Sequence, residues 1–472
     1  MGYDRLSGLD TAFLCLDSRS APMNLGALTI FAPSQAVHPT RLVELLRDRA
    51  GRIPRLRQRA RSMLMPLGAV QWVPDPDFDV SRHVHAHHLP RPHDPNQLTE
   101  KVSELISRRL ELDRPLWELH VLTGLPGGRF ALLAKLHHAL ADGAGAVMIG
   151  LGLMDGFTRP PVTEIPEPST VGSNTFDLAL DMARRALGSV RPVNGTVPAL
   201  DRLPAKARQV QESFGIAASV MRGARPPAVA SPLLATPSPD RQLATLRIGL
   251  DAIKEVRAQH GGTNNDVLLA LLSGALRDWL LRRGEPVDGR TVRTLVPVNS
   301  RGRADGRTGG QPDGRAGAGN QLSGYLCDLP VGEPDPVRRL VLVREAMDRN
   351  KEAGTRQGAG ALPMLAERVP AALHRVAMPL MSGGAAFLFD TVATNVQLPR
   401  VSLAFDGAAL QEIYPVVPLA AGHALAVAFC GYGDAVHVGL CGNADALPDL
   451  HTIADGFDGA LADLRELCAQ SA

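Results

Sequence analysis

Apolar residues recur along this chain with two different periods, and the period predicts where strands and helices lie. Residues 26–31 and 129–136 are short, mostly apolar runs, which predict buried strands. Residues 96–112 carry apolar side chains at helical spacing on one side, which predicts an amphipathic helix. Residues 143–154, rich in small side chains, predict a closely packed helix. Three glycines are expected to allow that packing: Gly145, Gly150 and Gly152.

The second half of the chain repeats this mixture. Residues 242–248 predict a strand and residues 250–260 predict a helix. The next helix opens at residues 263–266, where an Asn or Asp is expected as its N-cap. Strands and helices then alternate up to a C-terminal helix at residues 455–470. Because the two halves share this rhythm, we expect an α/β fold made of two similar subdomains.

The longest uncharged stretch, residues 413–433, could be mistaken for a membrane span. It contains Pro415, Pro418, Gly422 and His423, which would interrupt a membrane-spanning helix. The stretch therefore predicts two short buried strands.

The composition changes between residues 158 and 239, which are rich in Pro, Ala, Ser and Arg. We predict an N-terminal subdomain of residues 1–157, a connecting segment of residues 158–239 and a C-terminal subdomain of residues 240–472. The connecting segment carries basic amphipathic stretches at residues 176–190 and 205–225. These stretches either pack on the protein or lie on a lipid surface.

Composition excludes several classes of function. The 472 residues are 45% hydrophobic and 21% charged, with a net charge of +2, which is typical of a globular protein. Aromatic residues make up only 4%, and arginines are scattered among acids, so a nucleic-acid partner is not expected. The five cysteines form no paired pattern, which favours a reducing cytoplasm. The Arg- and Gly-rich residues 303–317 lack the context of a phosphate-binding loop.

The segment LHHALADGAGA, residues 136–146, holds the candidate chemistry. Histidine can accept and release a proton near neutral pH, and an aspartate nearby can orient it or lock the turn that presents it. His137 and His138 follow a predicted strand, in which successive side chains point to opposite faces. One of them is therefore expected to be a catalytic base and the other a structural neighbour.

Paired histidines also occur outside catalytic sites. A His–His pair alone is more typical of a packed core, and it could also be half of a metal site. Zinc takes three or four ligands, and no Cys or Glu lies close enough in the sequence, so no metal is expected. Asp142, Gly143 and the small-residue helix that follows favour the catalytic interpretation.

Residues 137–143, HHALADG, resemble the HHxxxDG signature of the CoA-dependent acyltransferase superfamily, which includes chloramphenicol acetyltransferase and the condensation domains of peptide synthetases. More narrowly, the chain resembles the bacterial wax ester synthase/diacylglycerol acyltransferase family over nearly its whole length. The further motifs that carry this resemblance are, in order, LSGLDTAFLCLDSRSAPMNLGALTIF, IPRLRQR, WVPDPDFDVSRHV, RPLWE, NNDVLLALLSGALR, GNQLS, TNV, YPVVPLAAGHAL and GLCGNADALPD.

The resemblance implies two chloramphenicol-acetyltransferase-like subdomains that form a pseudo-dimer around a central tunnel. It implies an O-acyltransferase that transfers the acyl group of long-chain acyl-CoA to diacylglycerol or a fatty alcohol. His138 would be the general base for the acceptor hydroxyl. Asp142 would be structural, paired with an arginine for which Arg301 is the candidate, and Gly143 would serve a tight turn. No cofactor is expected besides acyl-CoA as co-substrate.

The resemblance also implies substrate-binding residues. Pro115, Leu116 and Trp117 match the PLW motif, which shapes the acyl-binding region, although plain core packing explains Trp117 equally well. Asn265 and Asp266 match the ND motif, although helix capping would also account for them.

Two positions depart from the family pattern. Asn395 begins the sequence NVQLP where relatives often have NVPGP. Asn24 stands where relatives commonly have a histidine. Neither change touches the proton transfer, but both leave the preferred acceptor and acyl chain open.

Two alternative functions fit the same sequence. One is a condensation enzyme that takes its acyl group from a carrier protein, although no carrier domain is attached. The other is a lipid-binding protein that has kept the fold without the activity. The expected location is the cytoplasm, with peripheral association to the inner membrane or to lipid droplets as a further expectation.

Overall fold

The computed structural model describes residues 5–35, 38–63, 69–90, 94, 96–157, 231–299, 322–353 and 388–470. Most of the predicted connecting segment, and Arg301, lie outside the described residues. None of the described helices combines the length and hydrophobicity needed to cross a bilayer.

The first part of the chain alternates strands and helices as its hydrophobic periods predict. Its elements are α1 (Gly8–Leu16), β1 (Asn24–Ala32), α2 (Pro39–Gly51), β2 (Gln58–Ser62), β3 (Val70–Pro74), β4 (Val84–His88), α3 (Gln97–Ser107), β5 (Trp117–Thr123), β6 (Phe130–His137) and α4 (Gly143–Leu153).

The second part continues the alternation. Its elements are β7 (Arg241–Gly249), α5 (Leu250–His260), α6 (Asn264–Arg282), β8 (Val292–Asn299), β9 (Leu322–Leu329), α7 (Pro336–Ala353), β10 (Thr391–Val396), β11 (Ala404–Phe405), β12 (Ala408–Val416), β13 (Leu425–Tyr432), β14 (Ala435–Asn443) and α8 (Leu450–Gln470). The uncharged stretch does form parts of two strands, β12 and β13, as its prolines predict.

Within the described residues, two six-stranded sheets carry the fold. The first has the order β11-β12-β1-β6-β5-β4, and the second has the order β7-β14-β13-β10-β8-β9. Most neighbouring strands are antiparallel, but β4 is parallel to β5, and β10 is parallel to both β13 and β8. The mixed α/β fold predicted from the sequence is confirmed.

The first sheet is completed by strands from the far end of the chain. Val416 of β12 pairs with Gly26 of β1, so β11 and β12 join a sheet otherwise built from the first part of the sequence. The division at residues 157 and 239 stays a prediction. The addition of β11 and β12 places residues of both parts of the chain in the sheet that carries the histidines.

Helix α3 lies between the two sheets. Val102, Leu105 and Ile106 are buried in one core cluster with Leu133 of the first sheet and Leu243 of the second. The hydroxyls of Ser103 and Ser107 also accept backbone N–H groups of Leu243 (2.9 Å) and Arg241 (2.8 Å). These bonds cover part of the exposed edge of β7, since an unpaired strand edge otherwise leaves donors free.

The strand that carries the histidines is closely packed on its neighbour. Gly26 of β1 stands opposite Lys135 of β6. A Cβ atom at Gly26 would lie 1.8 Å from the carbonyl oxygen of Ala134, so only glycine allows this approach.

Candidate active site

Strand β6 ends at the first histidine of the motif. The backbone N–H of His137 donates to the carbonyl of Leu116 (3.0 Å), and that of His138 donates to the carbonyl of Met23 (2.8 Å). His137 is fully buried, whereas the side chain of His138 is half-buried. The two imidazoles therefore lie in different surroundings, although they are adjacent in the sequence.

His137 is held as a neutral imidazole in the protein interior. Its Nδ1 accepts the backbone N–H of Ala139 (3.0 Å), so its proton sits on Nε2. Nε2 lies 3.8 Å from Oδ1 of Asp17, whose side chain is also fully buried. Burial lowers the pKa of His137 to about 3, and the nearby His138 and Arg109 add to this effect. Because His137 is buried and stays neutral, its role is structural: it stabilises the end of β6 through its hydrogen bond with the Ala139 N–H.

His138 is half-buried as a residue, and its imidazole is neutral at physiological pH. The ring of Phe13 stacks on it, with centroids 3.9 Å apart and planes inclined by 26°. Burial lowers the pKa of His138 to about 4, against smaller upward contributions from its own backbone carbonyl and from Asp142. A neutral imidazole can accept a proton, which is the first requirement of a general base.

Asp142 closes the turn between the histidines and α4. It is the N-cap of α4, and its Oδ1 accepts the N–H of Gly145 (2.7 Å), while its carbonyl accepts the N–H of Ala146 (2.7 Å). Such caps satisfy N–H groups that have no partner within the helix. Asp142 therefore fixes the start of α4 relative to His138.

The prediction that Gly143 serves a tight turn is wrong. Gly143 is the first residue of α4 and lies outside the set of glycines with left-handed backbone angles. No atom lies within 4 Å of the position that a Cβ would take there, and the residue is exposed. Glycine at this position therefore leaves open space beside the motif.

Helix α4 is apolar, and most of its residues are only partly buried. Of its described residues only Leu151 and Leu153 are buried, and Met148 is 50% exposed. The prediction of close packing through all three glycines is wrong for Gly150, which has no neighbour within 4 Å of a Cβ position. The apolar sequence predicts a packed helix, whereas the helix is only partly packed: Ala146, Val147 and Ile149 contact the core, and Met148 does not.

Two glycines of α4 should respond in opposite ways to substitution by alanine. Gly150→Ala should stabilise the protein by about 0.5–1 kcal/mol, because alanine favours the helix and meets no obstacle. At Gly145 the new Cβ would lie 3.1 Å from Cβ of Ala141 and 3.2 Å from Oδ1 of Asp142. Gly145→Ala should therefore strain the cap and cost about 1 kcal/mol. Thermal unfolding of both variants checks this; equal shifts would contradict the described packing.

The PLW residues support the histidine strand from β5. Pro115, Leu116 and Trp117 are all buried, and the Leu116 carbonyl accepts the N–H of His137. Nε1 of Trp117 donates to the carbonyl of Leu56 (2.7 Å), and its ring stacks on His83 at 4.5 Å. Trp117 thus has the surroundings of a core residue, in line with plain core packing. A substrate-binding role for the three residues stays a prediction.

The ND residues belong to the start of α6. Thr263 is the N-cap, so the expectation of an Asn or Asp at that position is wrong. Asp266 takes part in a capping box instead: its Oδ2 accepts the N–H of Thr263 (2.8 Å), and its own N–H donates to the Thr263 hydroxyl (3.2 Å). Asn265 is half-buried beside it. Capping accounts for Asp266, and substrate contact by the pair stays a prediction.

Asn395 lies in the second sheet. It is exposed near the end of β10, opposite Phe429 of the parallel strand β13. Its predicted role in substrate binding stays a prediction. The structure thus brings together His137, His138, Asp142, Gly143 and Leu116.

Two family profiles match the chain in sequence order. The catalytic domain of wax ester synthase/diacylglycerol acyltransferase matches residues 6–268, and the C-terminal domain of the same family matches residues 318–465. The chain belongs to the wax ester synthase/diacylglycerol acyltransferase family.

Relatives of known name agree with this membership. A Mycobacterium tuberculosis protein named as a probable diacylglycerol O-acyltransferase, tgs1, is 32% identical, and the alignment covers 98% of this chain and 96% of that protein. A second probable diacylglycerol O-acyltransferase from that organism, tgs2, is 29% identical, and the alignment covers 97% of this chain and 98% of that protein. The chain is accordingly an O-acyltransferase of this family.

Solved structures show the same fold. The wax ester synthase/diacylglycerol acyltransferase from Marinobacter aquaeolei VT8 matches with a TM-score of 0.67 and 25% identity, covering 98% of this chain and 100% of that one. The first condensation domain of the CDA synthetase matches with a TM-score of 0.56 and 17% identity, covering 99% and 96%. The second likeness concerns the fold alone, and it supports the two-subdomain architecture that the HHxxxDG resemblance implies.

Sequence reasoning missed three residues that lie beside the histidines of the candidate site. Phe13 contacts His138, Asp17 lies beside His137, and Arg109 pairs with Asp17. Phe13 and Asp17 lie within the family-like opening LSGLDTAFLCLD, but nothing in that segment points to a histidine more than a hundred residues away. Asn24, which the sequence marks only as a departure from the family pattern, pairs with His137 across the strands. Its Nδ2 donates to the carbonyl of Arg108 (3.0 Å).

A second group of histidines lies on the same sheet. Nε2 of His87 and Nδ1 of His120 are 3.1 Å apart, and His120 also approaches Glu118, which binds Lys135. Among the described residues no group of three or more His, Cys, Asp or Glu has an arrangement suited to a metal ion. His87 and His120 thus extend the ion pair of Glu118 and Lys135 by hydrogen bonds along the sheet.

Proposed function

We propose that this acyltransferase transfers the acyl group of a long-chain acyl-CoA to the hydroxyl of diacylglycerol or of a long-chain alcohol, with His138 as the general base. The observation that supports this most strongly is the environment of His138. Its imidazole is neutral, and the residue is fixed at the end of β6 by the Met23 carbonyl and the Phe13 ring.

The proposed reaction needs no covalent enzyme intermediate. Neutral His138 takes the proton of the acceptor hydroxyl while the hydroxyl oxygen attacks the thioester carbonyl. The tetrahedral intermediate then collapses, the carbon–sulfur bond breaks, and the imidazolium returns its proton to the departing thiolate. One ester and one molecule of free CoA result, and His138 is neutral again.

The surroundings of the motif support a long apolar substrate. Gly143 leaves open space at the start of α4, and α4 continues from there with a partly exposed apolar surface that includes Met148. An acyl chain or a lipid acceptor would bury this surface, at a gain of about 25 cal/mol per Å² of apolar area. We propose that α4 contributes to the binding of the lipid part of a substrate.

The test is an acceptor panel with the full-length protein. Palmitoyl-CoA is supplied with diacylglycerol, with hexadecanol or with no acceptor; free CoA is measured with a thiol reagent, and the products are separated by thin-layer chromatography. We expect CoA release that depends on an acceptor, together with the matching ester. Equal release without acceptor would show thioester hydrolysis and overturn the proposal. A strict requirement for an acyl group on a carrier protein would overturn the acyl-CoA part of it.

A further inference from the structure

Helix α1 and the loop that follows it hold the second histidine of the motif at two points. The ring of Phe13 in α1 stacks on the imidazole of His138. The carbonyl of Met23, just before β1, accepts the backbone N–H of His138 (2.8 Å). A single segment of chain, residues 8–23, therefore contacts both the ring and the backbone of this histidine.

Asp17 anchors that segment. Its side chain is completely buried at the end of α1, and its Oδ1 accepts the N–H of Met23 (2.9 Å). Arg109 donates through Nε to Oδ2 of Asp17 and through Nη2 to the Asp17 carbonyl (3.2 Å). The backbone of Met23 thus joins the Asp17 carboxylate, through its N–H, to the His138 backbone, through its carbonyl.

The opposite end of α1 is also fixed. Ser7 and Asp10 form a capping box, in which the Ser7 hydroxyl accepts the N–H of Asp10 (3.0 Å) and Asp10 accepts the N–H of Ser7 (3.3 Å). Leu9 and Ala12 of the same helix are buried. Phe13 is therefore carried by a helix that is held at both ends.

The burial of the Asp17 carboxylate costs free energy, because a charged group loses its hydration when it leaves water. Burial raises the pKa of Asp17, and the hydrogen bonds from Met23 and Arg109 oppose that effect. An uncharged residue would close the same turn at lower cost. The charge does, however, give Arg109 a partner, and Arg109 follows α3, the helix between the two sheets.

We propose that Asp17, held by Arg109, is a positioning residue that acts through the Met23 backbone and the Phe13 ring to keep the His138 imidazole in its reactive orientation. The proposal rests on His138 being the base. A ring stacked on one face and tied through its backbone has little freedom to turn, so the same nitrogen stays directed toward the acceptor hydroxyl.

The variants separate charge, packing and chemistry. Asp17→Asn keeps an acceptor for the Met23 N–H but removes the charge, whereas Asp17→Ala removes both. Phe13→Leu keeps an apolar contact with His138 but removes the aromatic ring. Arg109→Lys keeps the positive charge but cannot donate to both the carboxylate and the carbonyl of Asp17 in the same way. Matched controls are Phe78→Leu, since Phe78 stacks on His83 at 5.8 Å, and Asp155→Asn, since Asp155 pairs with Arg49.

The readouts are kcat, KM for palmitoyl-CoA, the pH profile and thermal unfolding. We expect Asp17→Ala to lower kcat about 10²-fold with KM nearly unchanged, since a small misplacement of a catalytic group has effects of that order. Asp17→Asn, Phe13→Leu and Arg109→Lys should give smaller losses. The acidic limb of the profile should move up toward the ordinary histidine value, because a looser ring is better solvated. The described titratable groups that act on His138 are His137 and Asp142, and Asp17 and Arg109 lie beside His137.

Other outcomes would overturn the proposal. If the variants fold and keep kcat, Asp17 and Phe13 do not position the base. If kcat falls while the acidic limb of the pH profile stays in place, and the control variants lose as much kcat, residues 8–23 have only a structural role. Should Asp17→Ala fail to fold, the three milder variants decide the question by the same criteria. Full activity of His138→Ala would instead refute the proposed function. Failure of the positioning role of Asp17 can therefore be distinguished from failure of His138 as the base.

Discussion

His138→Ala should lower kcat for acyl transfer about 10³-fold, because a positioned general base contributes about 10²–10⁴-fold to such reactions. KM for acyl-CoA should change little, since the imidazole acts on the acceptor hydroxyl. Thermal unfolding should stay close to that of the wild type, because the side chain is only half-buried. Steady-state kinetics with palmitoyl-CoA and the better acceptor of the panel measures this.

The control for this variant is His88→Ala. His88 lies on the edge strand β4 of the same sheet, is exposed, and bonds only the Thr123 hydroxyl (3.1 Å) among its described contacts. Its removal should leave kcat unchanged. If His138→Ala and His88→Ala had the same activity, His138 would not be the base.

The pH dependence of the wild type provides an independent check. A general base works in its neutral form, so activity is lost as the pH falls through the pKa of the base. Burial lowers the pKa of His138 to about 4, well below the ordinary value of 6.5. The acidic limb of kcat/KM should therefore lie near pH 4, and activity at pH 6 should match that at pH 7. An acidic limb near 6.5 would mean a solvated imidazole or a different base.

The parts of the fold that follow from local periodicity could be predicted. The apolar run before the histidines is β6, and the uncharged stretch divides into β12 and β13, because side-chain period and prolines are local properties of the sequence. The position of β12 could not be predicted. Its pairing of Val416 with Gly26 joins distant parts of the chain, and no local pattern selects that partner.

The candidate site divides in the same way. The histidines and Asp142 could be found because their residue types carry chemistry and lie within one short motif. Phe13 and Asp17 could not, because their importance depends on contacts with His138 and Arg109, which lie far away in the sequence. The apolar composition of α4 is a local signal, but it does not distinguish a fully packed helix from a partly exposed one.

The buried ion pair next to the histidine motif should have the largest effect on stability. Lys135 is 1% exposed, two residues before His137, and its Nζ lies 2.9 Å from Oε2 of Glu118, which is 28% exposed. Glu118→Gln would leave this buried ammonium without its counter-ion. Because an unpaired buried charge is costly, the variant should lower the free energy of unfolding by about 3 kcal/mol.

Urea unfolding can separate the pair from its single members. The double variant Glu118→Leu/Lys135→Met should recover much of the loss, because no buried charge then remains. The control is Glu104→Gln: Glu104 pairs with Lys101 on the surface of α3 at 2.7 Å, and its loss should cost no more than about 0.5 kcal/mol. If Glu118→Gln cost no more than this control, solvent would already be screening Lys135.

The same pair predicts how the effect of Glu118→Gln varies with pH. Burial alone would raise the pKa of Glu118, but His120 and Lys135 outweigh it and lower the pKa to about 2, from an ordinary value of 4.5. A carboxylate with a lowered pKa stabilises the folded state above its unfolded value, and this contribution is lost as the pH falls through the folded value. The difference in stability between wild type and Glu118→Gln should therefore be constant above about pH 5 and shrink progressively toward pH 2. A difference that stayed constant down to pH 2 would show that the charge of Glu118 is not what stabilises the strand.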